Sequence, residues 1–357
     1  MSLFDLTKAF DCVSHELLIR KLAKYKFDAT SIAVIRSYLN DRTQYVTLNS
    51  LKSKNAAVKM GVPQGSVLGP ILFLVFINDL SSLSTAPHQY LTLFADDTTA
   101  LTTADSKELL SKSSEKLLSG ITQWFTSNGL STNELKNQSL LLGLHDTDKS
   151  PPVKLLGIYI DGKLTWAEHA LYLSSKLSKM NYIIRNLKPR VTKQVLLQAY
   201  YGYIHSTLSY AVLCWGHSVH AAKVFSVQRK CIRIIDNRKY RDCCRTSFTK
   251  LNILTLPCIY IFTCLTHAKK ALPTLRKNSD KYHYNVRTKN NLVEDYYRTV
   301  KGRDINYFMK KCYNALPDYI RDLEEQQFRK TIRVFLGAKA FYSIDEYLNY
   351  KFDDSEQ

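Results

Sequence analysis

The sequence predicts an α+β fold, in which residues 1–166 mix strands and helices and the remainder is mainly helical. Two observations carry this prediction. Up to Trp166, β-prone segments alternate with segments of helical spacing, which is the α+β pattern. Beyond Trp166, helical spacing dominates, first over Ala167 to Leu187. With 357 residues, 45% of them hydrophobic, the chain can bury a large core and form two or three domains.

The first elements follow from local signals. Leu3 to Leu6 has the character of the end of a buried strand. Ser14 can cap a helix that follows it, and Asp28 or Thr30 can cap a second one. The segments 42–48 and 56–60 both alternate in the β manner, which predicts that they pair as a hairpin.

A loop rich in glycine and proline, residues 61–70, precedes an apolar helix predicted over 71–80. Three glycines in this loop allow a backbone to approach another chain closely. A plain junction between loop and helix does not require Gln64, which carries both a donor and an acceptor. This loop is therefore a candidate binding element.

Two adjacent carboxylates, Asp96 and Asp97, stand at the turn of a hairpin predicted over Tyr90 to Leu101. Because neighbouring carboxylates repel each other, a fold that keeps both ionised usually supplies cations between them. The alternative is an ordinary acidic turn, for which Asp is a common choice. The pattern by itself leaves both interpretations open. An amphipathic helix is predicted to follow, over 106–127.

Later segments predict a strand over 153–160, a type I′ turn at Asp161-Gly162 and a return over 163–166. Helices are predicted over 167–187 and 192–210. The segment 223–250 is basic and has aromatic residues interleaved, as phosphate-tracking and base-stacking surfaces do. A solvated basic helix face is the alternative. The aromatic residues in question are Phe225, Tyr240 and Phe248.

The composition favours a nucleic acid partner. Fifty Lys and Arg against 31 Asp and Glu give a net charge of +19, a field that attracts polyanions. The eight cysteines have no zinc-binding spacing, which favours reduced thiols in an intracellular setting. The longest apolar run, Val67 to Ile77, is about half of the roughly 20 residues that a membrane span requires. We therefore expect no membrane association.

A third carboxylate, Asp5, ends the first predicted strand. If Asp5 lies beside the Asp96-Asp97 turn, three acids converge at one edge of a sheet. Carboxylates of this kind suit Mg²⁺, which also retains waters and binds substrate phosphates. Two such ions about 4 Å apart can activate a hydroxyl and stabilise a leaving pyrophosphate.

Five motifs in this order resemble the reverse transcriptase of non-LTR retrotransposons, especially the jockey-type elements. They are Phe4 to Asp11, Gly61 to Pro70, Phe94 to Asp97, Lys136, and Leu155 to Ile158 with Trp166 and His169. Residues 282–287 and 313–317 resemble, more loosely, the tail that follows the polymerase in these elements. The Asp pair alone is a weak signal, but five motifs in the family order are a specific one.

The resemblance implies a role for each matching residue. Catalytic and metal-binding roles fall on three carboxylates, Asp5, Asp96 and Asp97. Substrate-binding roles fall on Phe10, Gln64, Gly65 and Lys136. Primer-grip roles fall on Leu156 and Gly157. In this assignment the Phe10 ring excludes a 2′-hydroxyl, and Lys136 approaches the triphosphate and protonates the leaving group.

The resemblance also implies an architecture and partners. Residues 1–166 form the polymerase palm, an antiparallel sheet with helices, together with partial fingers. A helical, basic, thumb-like region covers 167–250, and a C-terminal tail covers 251–357. The expected cofactors are two Mg²⁺ ions, with Mn²⁺ as a substitute. The expected partners are an RNA template, a DNA primer and deoxynucleoside triphosphates, in cytoplasm and nucleus, and the oligomeric state stays open.

One departure from the family bears on activity. The family normally carries a long fingers region before its first motif, whereas Asp5 lies almost at the start of this chain, where chain ends tend to fray. The expectation is therefore a truncated element, with weak or no primer extension by the chain alone. A non-catalytic, nucleic-acid-binding transposon remnant is the alternative, and a protein like an intron maturase is a third interpretation.

Overall fold

The structure is a computed structural model that describes residues 1–143, 150–281, 289–294 and 305–352. The chain divides into two compact units, Met1–Val153 and Lys154–Gln357. This boundary precedes residue 166, where the sequence prediction ends the first domain. The division into palm, thumb and tail stays a prediction. The segment 282–287, part of the tail resemblance, lies outside the described residues.

The first unit combines strands and helices, in agreement with the predicted α+β class. Its strands are β1 (Ser2–Phe4), β2 (Thr43–Gln44), β3 (Thr47–Leu48), β4 (Leu51–Lys52), β5 (Ala56–Ala57), β6 (Gln89–Phe94), β7 (Asp97–Thr102) and β8 (Gln138–Ser139). Its α-helices are α1 (His15–Lys24), α2 (Ala29–Leu39), α3 (Leu68–Ile77) and α4 (Lys107–Ser127). Short 3₁₀ helices cover Ala9–Cys12 and Asn78–Leu83.

Strand β1 lies inside a four-stranded antiparallel sheet with the order β6-β7-β1-β8. Ser2 on β1 faces Ala100 on β7 and Ser139 on β8. On the core side, Phe4 packs edge to face against Phe125 of α4, with ring centroids 5.9 Å apart. Both rings belong to the apolar core of this unit, which anchors the strand that precedes Asp5.

Side chains cap three helices of the first unit, and two of these caps, at Ser14 and Asp28, were predicted from the sequence. Ser14 accepts a hydrogen bond from the backbone N–H of Leu17, and Asp28 caps α2 in the same way. Ser106 caps α4. Helix α3 begins at Leu68, earlier than predicted, because Pro70 falls in its first turn, where the missing N–H is not needed.

The second unit is mainly helical. After the short strands β9 (Val153–Leu155) and β10 (Ile158–Ile160), its α-helices are α5 (Ala167–Leu187), α6 (Lys193–Ala199), α7 (Ser206–Ser209), α8 (Val212–Trp215), α9 (Ala221–Ile235), α10 (Arg245–Lys250), α11 (Leu256–Ala271), α12 (Asn278–Lys281), α13 (Ile305–Asn314), α14 (Asp318–Arg321), α15 (Glu325–Lys339) and α16 (Ile344–Leu348). A π-helical stretch, Tyr200–His205, joins α6 to α7, and a 3₁₀ turn covers Leu272–Thr274. Within the described ranges, no helix is long and apolar enough to span a membrane.

The hairpin that opens the second unit turns earlier than predicted. Leu156 and Gly157 both have positive φ, 46° and 84°, and they connect β9 to β10 as a type I′ turn does. The prediction of that turn at Asp161-Gly162 is wrong. Instead, the Asp161 carboxylate accepts hydrogen bonds from the backbone N–H groups that lead into α5, those of Lys163, Thr165 and Trp166.

Candidate active site

The sheet register brings the ends of β1 and β7 together. Phe4 on β1 faces Thr98 on β7, so Asp5 and Asp97 continue the two strands at the same edge. Asp96 belongs to the two-residue turn before β7, in which Ala95 has a φ of 52°. The predicted hairpin is confirmed, and the structure places all three carboxylates at one edge of the sheet.

The electrostatics of this edge act on Asp97. The pKa of Asp97 is raised above its ordinary value, first by its partial burial and then by the negative charges of Asp96 and Asp5. Such mutual repulsion is what a bound cation relieves. The donor chemistry, carboxylate oxygens only, therefore fits Mg²⁺.

The side chains do not form a closed ligand set. Among the residues that the structure describes, no group of three His, Cys, Asp or Glu side chains is arranged to hold a metal ion. The Lys136 ammonium lies next to Asp5, with its Nζ 3.2 Å from Asp5 Oδ2. Both side chains are partly exposed, at 66% and 36%, so this ion pair is weak and exchangeable.

Contacts from the 131–140 segment hold Asp5 on its other side. The backbone N–H of Asp5 donates to Asn137 Oδ1 at 3.2 Å, and the Asn133 N–H donates to the Asp5 carbonyl at 2.8 Å. The terminal ammonium of Met1 donates to the Leu140 carbonyl at 2.9 Å. These bonds fix the backbone around Asp5, although a chain end tends to fray. Sequence reasoning missed Asn137 because it lies more than a hundred residues from Asp5.

The glycine- and proline-rich loop packs against the segment that follows Asp5. The Val62 N–H donates to the Phe10 carbonyl at 2.8 Å, and the Gly61 N–H donates to the Val13 carbonyl at the same distance. Phe10 stacks on Phe73 of α3, with ring centroids 4.4 Å apart. The Phe10 ring is therefore held rigidly on the core side.

Gln64 and Gly65, the two predicted substrate-binding residues of this loop, are both exposed. Gln64 Nε2 donates to Asp11 Oδ1 at 3.0 Å, which fixes the orientation of the amide. Gly65 has a φ of 78°, and a Cβ added there meets no atom within 4 Å. The space beside Gly65 is open, and Asp11 is a partner that the sequence pattern did not reveal.

The primer-grip candidates belong to the second unit. Leu156 and Gly157 form the β9–β10 turn, and the Tyr210 hydroxyl donates to the Leu156 carbonyl at 2.6 Å. His169 is buried in α5, and its Nδ1 faces the Tyr159 N–H at 3.4 Å. Burial lowers the pKa of His169 to about 4, so the ring is neutral at physiological pH.

The matches to known proteins agree with these motifs. The family described as "Reverse transcriptase (RNA-dependent DNA polymerase)" matches residues 1–160. Residues 1–160, which make up under half of the chain, are therefore similar to reverse transcriptases. The chain is also similar to polymerases of non-LTR retrotransposons, which confirms the resemblance seen in the sequence.

Two relatives from Drosophila melanogaster show how far the similarity extends. The RNA-directed DNA polymerase from mobile element jockey is 28% identical over 257 residues, covering 65% of this chain and 28% of the relative. The probable RNA-directed DNA polymerase from transposon BS is 27% identical, covering 71% and 30%. The chain thus spans under a third of these relatives' length. A solved telomerase from Candida tropicalis, in complex with a telomeric RNA fragment, is 14% identical with a TM-score of 0.36, covering 70% of this chain and 46% of that one.

Proposed function

We propose that this chain is the catalytic part of an RNA-directed DNA polymerase, which extends a DNA primer with deoxynucleoside triphosphates on an RNA template. The observation that carries the proposal is the convergence of Asp5, Asp96 and Asp97 at one sheet edge, where the pKa of Asp97 is raised. The family match over residues 1–160 supports it.

The three carboxylates would hold two Mg²⁺ ions, with Mn²⁺ as a substitute, and bound ions supply charge neutralisation and a more acidic primer hydroxyl. In the reaction, the primer 3′-hydroxyl loses its proton to water and its oxygen forms a bond to the α-phosphorus, while the bond to pyrophosphate breaks. We assign to Lys136 the proton that the leaving pyrophosphate takes up. Its weak pair with Asp5 leaves it free to exchange partners.

The neighbouring residues select and position the substrate in this proposal. Phe10, fixed by its stack on Phe73, places a ring where a 2′-hydroxyl of a ribonucleotide would stand. Gln64 and Gly65 lie against the nascent base pair, and the open space at Gly65 admits it. In the second unit, Leu156 and Gly157 contact the primer backbone.

The same proposal covers the architecture and the setting. Residues 1–166 act as palm and partial fingers, 167–250 as a thumb, and 251–357 as a tail. Because the relatives are more than three times as long as the matched part, the chain alone is expected to be weakly active. Its template and primer meet inside the cell, in cytoplasm and nucleus.

Primer extension on poly(rA)/oligo(dT) with Mg²⁺ tests the proposal, for the chain alone and for the chain with the preceding segment of the jockey relative joined to it. We expect extension by the joined form at least, and its loss in Asp96→Asn. Asp105→Asn, on an exposed loop, is the matched control and keeps full activity. Absence of activity in both forms, or activity that survives Asp96→Asn, would refute the assignment.

A second candidate function is a nucleic-acid-binding remnant without catalysis. The observation that favours it is the lack, among the described residues, of a closed metal-ligand group, with Lys136 beside Asp5 instead. Mn²⁺ binding followed by electron paramagnetic resonance separates the two functions. A polymerase site binds Mn²⁺ and loses it in Asp96→Asn, whereas the remnant binds RNA and shows no Mn²⁺ site.

A further inference from the structure

A cluster of three cations surrounds one buried acid in the second unit. The Asp236 side chain, at the end of α9, is only 4% exposed. Lys193 of α6 lies 3.5 Å from Asp236, Arg238 lies 3.2 Å away, and Lys250 of α10 lies 3.7 Å away. Three positive charges around one carboxylate leave a local excess of two.

The geometry keeps this excess at the surface. The cation side chains are 40% to 65% exposed, so part of each charged group is open to solvent. Their ion pairs with the buried Asp236 carboxylate keep them close to one another. The Ser247 hydroxyl donates to Asp236 at 2.6 Å and fixes the acid. Arg238 contacts Asp236 through Nε, which leaves its two terminal nitrogens in a geometry suited to a phosphate.

An exposed aromatic side chain follows Arg238 by two residues on the loop after α9. Tyr240 is 73% exposed and lies between Lys239 and Arg241 in the sequence. The loop is fixed at both ends, because the Arg238 N–H donates to the Arg233 carbonyl and the Lys239 N–H donates to the Asp242 carboxylate. An exposed ring among cations is the arrangement on which unpaired bases stack.

The other aromatic residues of the basic segment are excluded from this role. Phe225 and Phe248 are buried, at 6% and 0% exposure, and belong to the apolar core of the second unit. Of the three interleaved rings, only that of Tyr240 is exposed enough to stack on a base. The structure therefore limits the candidate nucleic-acid-binding residues of the basic segment to one surface. We call this surface the Asp236 platform, and it consists of Lys193, Arg238, Lys239, Tyr240, Arg241 and Lys250.

We infer that the Asp236 platform binds single-stranded nucleic acid, with its cations on successive phosphates and Tyr240 stacked on a base. A single strand fits this surface better than a duplex, because a duplex keeps its bases paired and unavailable for stacking. The inference does not rest on polymerase activity. It concerns a surface that lies wholly in the second unit.

Fluorescence anisotropy with the full chain and a labelled oligo(rU) of about 12 nucleotides tests this inference. Tyr240→Ala is expected to weaken binding at least about fivefold, since stacking on an aromatic ring is worth that much per base. Tyr182→Ala removes a tyrosine of similar exposure, 65% against 73%, from α5 and is expected to leave binding unchanged. Circular dichroism confirms that both variants are folded.

The charge component is tested by the salt dependence between about 50 and 200 mM KCl. Lys193→Gln with Lys250→Gln is expected to reduce the slope of log K against log salt by about 1.4, since each phosphate contact on a single strand contributes about 0.7. Lys176→Gln with Lys179→Gln, on exposed positions of α5, changes the net charge equally and leaves the slope unchanged.

Three outcomes would overturn the inference. They are equal effects of Tyr240→Ala and Tyr182→Ala, equal slopes in the two lysine pairs, and binding of an RNA duplex or an anionic lipid vesicle with the same sensitivity to Tyr240→Ala. Asp96→Asn separates this inference from the proposed function. That variant loses polymerase activity and keeps oligo(rU) binding, so each proposal can fail without the other.

Discussion

Two glycines of the 61–70 loop should respond very differently to the same substitution. Gly61 and Gly65 both have positive φ, 90° and 78°, which alanine adopts only at a cost. They differ in their surroundings. A Cβ on Gly61 would lie 2.9 Å from both the Cα and the carbonyl oxygen of Asp11, whereas a Cβ on Gly65 meets nothing within 4 Å.

The expected loss of stability follows from these two terms. An L-residue in the left-handed region costs roughly 1–2 kcal/mol, and both variants incur this cost. Gly61→Ala also forces two backbones apart, which costs about 1–3 kcal/mol more. The backbones cannot separate freely, because the Gly61 N–H bonds to Val13 and the Val62 N–H bonds to Phe10. We therefore expect a loss of about 2–5 kcal/mol for Gly61→Ala and about 1–2 kcal/mol for Gly65→Ala.

Hydrogen exchange of peptides from the first unit, measured in increasing urea, gives the free energy of unfolding for each variant. A difference of at least about 1 kcal/mol between the two variants supports the close approach of the loop to Asp11. Equal losses would refute it. Primer extension by the joined polymerase form should fall more in Gly65→Ala than in Gly61→Ala. The reason is that the proposed function places the base pair beside Gly65 and no ligand beside Gly61.

Three further predictions concern charges. Asp97→Asn should raise the free energy of unfolding at pH 7 slightly, by at most about 0.5 kcal/mol after allowance for solvent screening, while Mn²⁺ binding is lost. The sign follows from the raised pKa of Asp97, which stabilises the fold at low pH and loses that effect as the pH rises through the carboxyl range. Lys136→Ala should change stability in urea by less than about 1 kcal/mol, because its pair with Asp5 is exposed, yet it should slow primer extension. Asp236→Asn should cost about 1.5–3 kcal/mol at pH 7, since it removes charge-assisted hydrogen bonds. Burial acts to raise the pKa of Asp236, but hydrogen bonds from Ser247 and Arg238 outweigh it and lower the pKa. The difference in stability between Asp236→Asn and the unmodified chain should therefore vanish in acid, as the pH falls through the lowered pKa of Asp236.

Local signals predicted what depends on neighbours in the sequence. The cap at Ser14 and the hairpin around Asp96 could be predicted because each needs only a few adjacent residues. The support of Asp5 was not readable. Asn137 and Lys136 reach it from more than a hundred residues away, through pairing of β1 with β8 that no local pattern encodes.

The difference between local signals and distant contacts also explains which features of the candidate site could be predicted. The resemblance selected Gln64 and Gly65, and the structure shows both exposed on a loop that is fixed from below. It did not reveal that Asp11 orients Gln64, because two exposed polar residues carry no pattern that pairs them. The basic segment gave charge and aromatic content, but only packing could separate the buried Phe225 from the exposed Tyr240.

The first turn of the second unit was predicted at the wrong residues. Asp-Gly is a strong type I′ signal, so the sequence favoured Asp161-Gly162, whereas the structure turns at Leu156-Gly157. Among the described residues Gly162 is not one of the glycines with positive φ, and Asp161 instead accepts backbone hydrogen bonds before α5. The type I′ preference of Asp-Gly is therefore overridden here by hydrogen bonds from the following backbone to the Asp161 side chain.

Alanine substitution distinguishes the two turn positions. Gly157→Ala should cost roughly 1–2 kcal/mol, because its φ of 84° is unfavourable for alanine. The added Cβ itself meets the Tyr210 ring at an ordinary 3.8 Å, so no clash contributes. Gly162→Ala should cost less than Gly157→Ala, because Gly162 is not among the glycines with positive φ. Hydrogen exchange of peptides covering β9 and β10 measures the loss of stability in both variants. A larger loss in Gly162→Ala than in Gly157→Ala would contradict the turn at Leu156-Gly157. It would also contradict the primer-grip assignment of Gly157.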